Sequence, residues 1–155
     1  MASTPAAART TDHARSNVQT AAMAVGAVFL LVGILGFIPG ITSNYGALLV
    51  AGHDSGAKLV GVFQVSILHN IVHLIFGVAG IAMARTSAAA ARAYLIGGGI
   101  IYLVLWLYGL LIGQQSSGNF VPVNSADDWL HFLLGIGMIG LGWGLTRRAS
   151  GVARA

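Results

Sequence analysis

Four long apolar runs decide what this chain can become. Residues 21–38, 59–84, 94–112 and 129–145 contain no Asp, Glu, Lys or Arg. Each approximates the ~17–25 residues needed to span a hydrocarbon core of ~30 Å. With 56% hydrophobic and only 8% charged residues, the chain lacks the charge that a soluble domain, at about 25% charged, uses to cover its surface. The expected fold is all-α, an integral membrane four-helix transmembrane bundle over 19–147. A mobile cytoplasmic tail is expected over 1–18 and a second cytoplasmic tail over 148–155. The first run follows basic residues, as a signal peptide would, but it ends in FIPGITSNYG without a small-x-small cleavage pattern, so it reads as an uncleaved span.

Charge placement supplies a direction. Arg9, Arg15, Arg85, Arg92, Arg147, Arg148 and Arg154 flank the spans on one side, while Lys58 alone falls on the other. Loops rich in Lys and Arg stay in the cytoplasm. Both termini are therefore expected inside, in a multi-pass protein of the plasma (inner) membrane. The eight basic residues form no stripe, which argues against nucleic acid as a partner. The absence of cysteine excludes disulfides, thiolate metal sites, c-type haem attachment and palmitoylation.

Spans 2 and 3, joined by about nine residues (85–93), are expected to be antiparallel neighbours. Small residues at helical spacing mark expected contact faces: Gly33 with Gly36 and Gly40, Gly77 with Gly80, Gly109 with Gly113, and Gly140 with Gly144. Trp129 and Trp143, at opposite ends of span 4, suit the headgroup levels.

One polar face interrupts span 2. Ser66, His69, Asn70 and His73 follow i, i+3, i+4, i+7 spacing and share one side of a helix. With the midpoint of 59–84 near Ile71, this intramembrane polar face is expected near the bilayer centre, where ionisable residues are functional candidates. Interhelical hydrogen bonding alone also accounts for such a face. His69 and His73, four residues apart, can both reach one metal ion. Asn70 stands where the HExxH zinc motif has its glutamate, so the general base of a metalloprotease is missing. Haem b or a divalent metal held by His69, His73 and His131 is a second possibility. The span boundaries place His69 roughly 12 Å deeper than His131, and only a shift of several residues would bring the two together. A proton or small-solute pathway along the same face is the third.

At the outer mouth, His53 and Asp54 of the first loop join Asp127, Asp128 and His131 as possible metal ligands. Helix capping by Ser125 and Asp128, in S-x-x-D spacing, is the simpler account of the acidic pair. On span 3, Tyr102 and Trp106 lie above Gly109 and Gly113 on one side. Such a face either packs plainly or bounds a quinone or lipid pocket against span 2.

The stretches GVFQVSILHNIVHLIFGVAG, YLIGGGIIYLVLWLYGL and NFVPVNSADDWLHFLLGIGMIGLG resemble the domain-of-unknown-function 4383 family. Its members are small four-span membrane proteins frequent in actinobacteria, and the Ala-, Gly- and Arg-rich composition suits such a source. The resemblance implies topology and carries over no catalytic or ligand roles. Taken together, the residues suggest a non-enzymatic structural or accessory bundle. Its expected partners are the lipid bilayer and either a larger membrane complex or further copies of itself.

Overall fold

A computed structural model describes residues 15–152, with side chains as far as 145. Four helices dominate: α1 (Asn17–Leu35), α2 (Ile67–Thr86), α3 (Ala88–Leu111) and α4 (Ser125–Val152). Each contains a stretch long and apolar enough to cross a membrane: Asn17–Leu35, Ile67–Thr86, Ala88–Leu111 and Ser125–Leu145. The four-helix architecture expected from the apolar runs is present. Most of the expected tail 1–18 lies outside the described residues, as does the end of the tail 148–155.

Local chemistry explains where the helices begin. Ser16 caps α1 in a reciprocal box: its hydroxyl accepts from Gln19 N, and the Gln19 side chain accepts from Ser16 N at 3.1 Å. This box starts the helix four residues before the expected span. Gln19 Nε2 also donates to the Ala84 carbonyl at 3.0 Å, tying the start of α1 to the end of α2. In place of a nine-residue loop between spans 2 and 3, one extended residue, Ser87, ends α2 and caps α3, its hydroxyl accepting from Ala90 N at 3.0 Å.

The second span differs most from its expected position. Residues 59–66 are apolar enough to read as helix, yet helix begins only at Ile67. Leu59 belongs to a small antiparallel sheet of β1 (Thr42–Ser43), β2 (Lys58–Leu59) and β3 (Phe63–Gln64), in which Thr42 pairs with Leu59 and Leu59 with Phe63. The β2–β3 turn runs through Val60 (φ 47°) and Gly61 (φ 75°). Left-handed backbone is compatible with a tight hairpin and not with a helix. Ser66 then caps α2, accepting from His69 N at 3.1 Å. The segment between α1 and α2 forms a cap with its own small core of Ala57, Leu59 and Val65, packed on Val32 and Leu35 of α1.

Helices pack tightest in two pairs, α1 with α2 and α3 with α4, and glycines set both contacts. A Cβ on Gly77 would stand 2.7 Å from the Gly26 carbonyl oxygen, and one on Gly99 would stand 2.7 Å from that of Gly135. Close backbone approach of this kind replaces the hydrophobic drive that lipid cannot supply. Of the expected faces, Gly33, Gly36, Gly77, Gly80 and Gly109 do meet neighbours. Gly40, Gly140 and Gly144 meet none within 4 Å, and Gly113 touches only its own loop at Ser116. On α4 the contact falls to Gly135 and Gly142. Between the pairs lies an aromatic core in which Phe29 stacks on Tyr102 (5.3 Å, 16°) and Phe76 meets Tyr102 edge-on (5.6 Å, 89°).

Gly99→Leu is expected to destabilise the detergent-solubilised protein by about 1–3 kcal/mol through overpacking. Gly140→Ala, whose added methyl meets nothing, should change stability by less than about 0.5 kcal/mol. Equal thermal shifts for the two variants would contradict the α3–α4 contact.

Candidate functional site: a histidine-walled chamber

The capping of α2 and α4 decides where the polar residues lie. Because α2 starts at Ile67, His69 and His73 stand about 3 and 9 Å along it at 1.5 Å per residue. Their expected position at mid-span is therefore corrected: both lie in the first two turns. α4 starts at the same end of the bundle, at Ser125, which puts His131 about 9 Å along. The depth difference between His131 and His69 falls to about 6 Å, and that between His131 and His73 vanishes. His69 and His131 ring centroids are 6.4 Å apart, and those of His69 and His73 are 4.6 Å apart with planes at 24°. The late helix start, which removes eight residues from the expected span, is the physical reason.

The α4 cap also differs from the S-x-x-D reading by one residue. Asn124 is the capping residue: its Oδ1 accepts from Ala126 N (2.8 Å) and Asp127 N (3.1 Å), and Asp127 Oδ2 returns to Asn124 N (3.0 Å). The same Oδ2 accepts from the backbone N–H of Gln64 at 3.0 Å. One carboxylate thus joins α4 to β3. Ser125 accepts from Gln114 Nε2 at 2.9 Å instead of capping. Asp128 turns to α3, where its carboxylate lies against Gly109 and leaves Oδ1 buried without a partner.

Within this frame is a cavity of about 230 Å³. Val32 and Leu35 of α1 form one wall, and Leu130, His131 and Leu134 of α4, with Asp127, form another. Leu59, Val60, Phe63 and Val65 of the cap roof it, and His69 and His73 line it from α2. A smaller void of about 30 Å³ continues behind the same three histidines to Tyr102 and Tyr108. Tyr102 faces His131 at 5.2 Å, whereas Trp106 packs on Phe132 at 4.7 Å. Of the span 3 aromatic pair, Tyr102 alone borders this space.

The expected clusters are divided accordingly. Ser66 is a cap. Asn70 is buried, but it packs against Gly36 just past α1 and leaves Nδ2 without a partner. His53 pairs with Asp54 at 3.3 Å in the cap and does not line the cavity. The wall residues Leu59, Val60, Phe63 and Val65 escape a sequence reading because they continue an apolar run. The one local signal of the turn is Gly61 within it.

A hydrogen bond orients one of the imidazoles: His73 Nδ1 lies 3.0 Å from the His69 carbonyl oxygen. The His69 Nδ1 is buried without a partner. His131 Nδ1 is likewise buried and unpartnered. Ring nitrogens bind metals through in-plane lone pairs, which near-parallel stacked rings direct side by side and not to a common point. Consistent with this, no three His, Cys, Asp or Glu side chains among the described residues converge as a metal cage.

Helix length, apolar surface and polar placement define a small multi-pass membrane bundle with a chamber at one end. The chain matches, over residues 19–144, the family described as Domain of unknown function (DUF4383), and it belongs to that family. No curated protein and no solved structure matches it.

Asp127→Ala leaves the N–H groups of Gln64 and Asn124 without their acceptor. It is expected to destabilise the fold by about 1–3 kcal/mol, read as a lower unfolding midpoint. Val60→Asn places a residue tolerant of left-handed backbone in the β2–β3 turn and should raise stability by up to about 1 kcal/mol. A lower midpoint for Val60→Asn would contradict the strained-turn assignment.

Proposed function

We propose that this protein is a non-enzymatic binding bundle that holds a small apolar or amphiphilic molecule drawn from the bilayer. The observation that carries this reading is the chamber itself: apolar walls contributed by α1, α4 and the cap, with buried imidazoles at one side. Small-molecule sites have this make-up of mostly apolar lining and a few polar groups that fix orientation. Val60 and Leu130, which line the cavity, are 60% and 36% exposed on the outside of the bundle, so a route from surrounding lipid is short. The lining of the larger cavity contains no serine, threonine or cysteine to serve as a nucleophile, which supports binding over covalent catalysis. The stacked geometry of His69 and His73 weighs against haem or a divalent metal. Against a proton pathway, the space beyond Tyr102 is packed by Phe29, Phe76, Leu95 and Met138, and the Tyr94 hydroxyl among them is buried without a hydrogen-bond partner.

In the proposed setting the termini face the cytoplasm of the plasma membrane, as the distribution of seven of the eight basic residues supports. The chamber then lies toward the outer leaflet. A second reading, as an accessory subunit packed against another transmembrane helix, draws support from Gly140 and Gly144. These glycines have small-xxx-small spacing and open space where a Cβ would stand.

Two measurements test these statements. Native mass spectrometry of the purified protein should show a bound small molecule that is lost in Leu134→Trp, which fills the chamber. A wild-type protein carrying nothing, and taking up no apolar probe, would contradict the binding reading. As the native chain has no cysteine, single replacements report sidedness cleanly. Ser116→Cys is expected to react with a membrane-impermeant maleimide on intact cells and Ser3→Cys only after lysis; the reverse pattern would invert the orientation.

A further inference from the structure

The hydrogen bond already made by His73 restricts what the chamber can recognise, and this inference rests on the binding reading above. A carbonyl oxygen can only accept, so a neutral imidazole facing one must carry its proton on the nitrogen turned to it. His73 faces the His69 carbonyl through Nδ1, which leaves Nε2 with the lone pair. His69 Nδ1 is buried without a partner. Asp127 adds a carboxylate to the same lining. The chamber is thus supplied with acceptors at His73 Nε2 and Asp127. His131 is unconstrained at Nδ1 and can take the tautomer that its partner requires.

We infer that the chamber binds a hydroxyl-bearing amphiphile, a phenol or alcohol head on an apolar chain, with the hydroxyl seated among His69, His73 and His131. A hydroxyl donates to an acceptor nitrogen and accepts from His131 at the same oxygen. A quinone, ester or ether head offers only acceptors and leaves the His73 Nε2 lone pair unmet, which costs binding. A phosphate or carboxylate head would meet the Asp127 carboxylate, and no Lys or Arg lines the cavity to offset the repulsion. An ammonium head would lose its hydration against walls that are almost wholly apolar. The left-handed Val60 holds the roof over this space, and the exposed lining at Val60 and Leu130 leaves room for the chain.

The test uses the full-length wild-type protein in detergent and three probes of equal chain length: 5-decylresorcinol, its dimethyl ether and decylamine. Binding is read by titration calorimetry, with loss of binding in Leu134→Trp as the site control. The expected result is that the resorcinol binds about tenfold tighter than the ether and tighter than the amine. Replacement of His73 by Leu should reduce the resorcinol preference to near unity, with the ether still bound. Equal binding of resorcinol and ether, or preference for the amine, overturns the hydroxyl assignment and leaves the binding reading intact. If none of the three binds wild type, the chamber is not a ligand site and both readings fall. The comparison of probes on wild type decides the question even if His73→Leu fails to fold.

Discussion

Oδ2 of Asp127 receives the backbone N–H groups of both Gln64 and Asn124, and the chamber depends on that one oxygen. The first bond attaches β3, and with it the roof of Leu59, Val60 and Phe63, to the start of α4. The second closes the reciprocal cap that sets the first turn of α4 and hence the direction of His131. Buried polar groups in a low-dielectric setting are costly when unmet and strong when paired. A single carboxylate that serves a strand and a helix start therefore couples the roof to the wall.

The rest of the bundle supplies the rigidity this coupling needs. Glycine contacts bring α1 against α2 at Gly26 and Gly77, and α3 against α4 at Gly99 and Gly135. The aromatic group of Phe29, Phe76 and Tyr102 fills the space between the pairs. That packing ends below the histidines. Above it the cap spans α1 and α4 without filling the gap between them, and the cavity is what remains. A core packed without voids is the usual state of a protein interior, so a persistent space flanked by unpartnered polar nitrogens is the feature to which function is assigned.

The polar residues of the second helix serve different ends although they share one helical face. Ser66 closes the backbone at the helix start, Asn70 lies against Gly36 at the end of α1, and His69 and His73 reach the chamber. The two acidic residues at the start of α4 diverge in the same way, Asp127 to the cap and Asp128 to Gly109. Neighbouring positions on a helix point about 100° apart, so adjacent carboxylates need not form one site.

Apolar run length and the lack of charge within the runs determined four membrane-length helices, and the i, i+4 spacing determined that His69 and His73 would be neighbours. Both follow from periodicity and transfer energy, which are local properties of the chain. The start of α2 was not legible, because 59–66 is as apolar as the helix it precedes and only the left-handed pair at Val60 and Gly61 turns it into a hairpin. Nor was the meeting of His131 with His69, which depends on α2 and α4 starting at one level. Those starts are set by side-chain caps at Ser66 and Asn124 and by Asp127, whose partner Gln64 lies 63 residues away in the chain. Long-range hydrogen bonds of this kind leave no periodic trace in a sequence, and only the tertiary structure decided them.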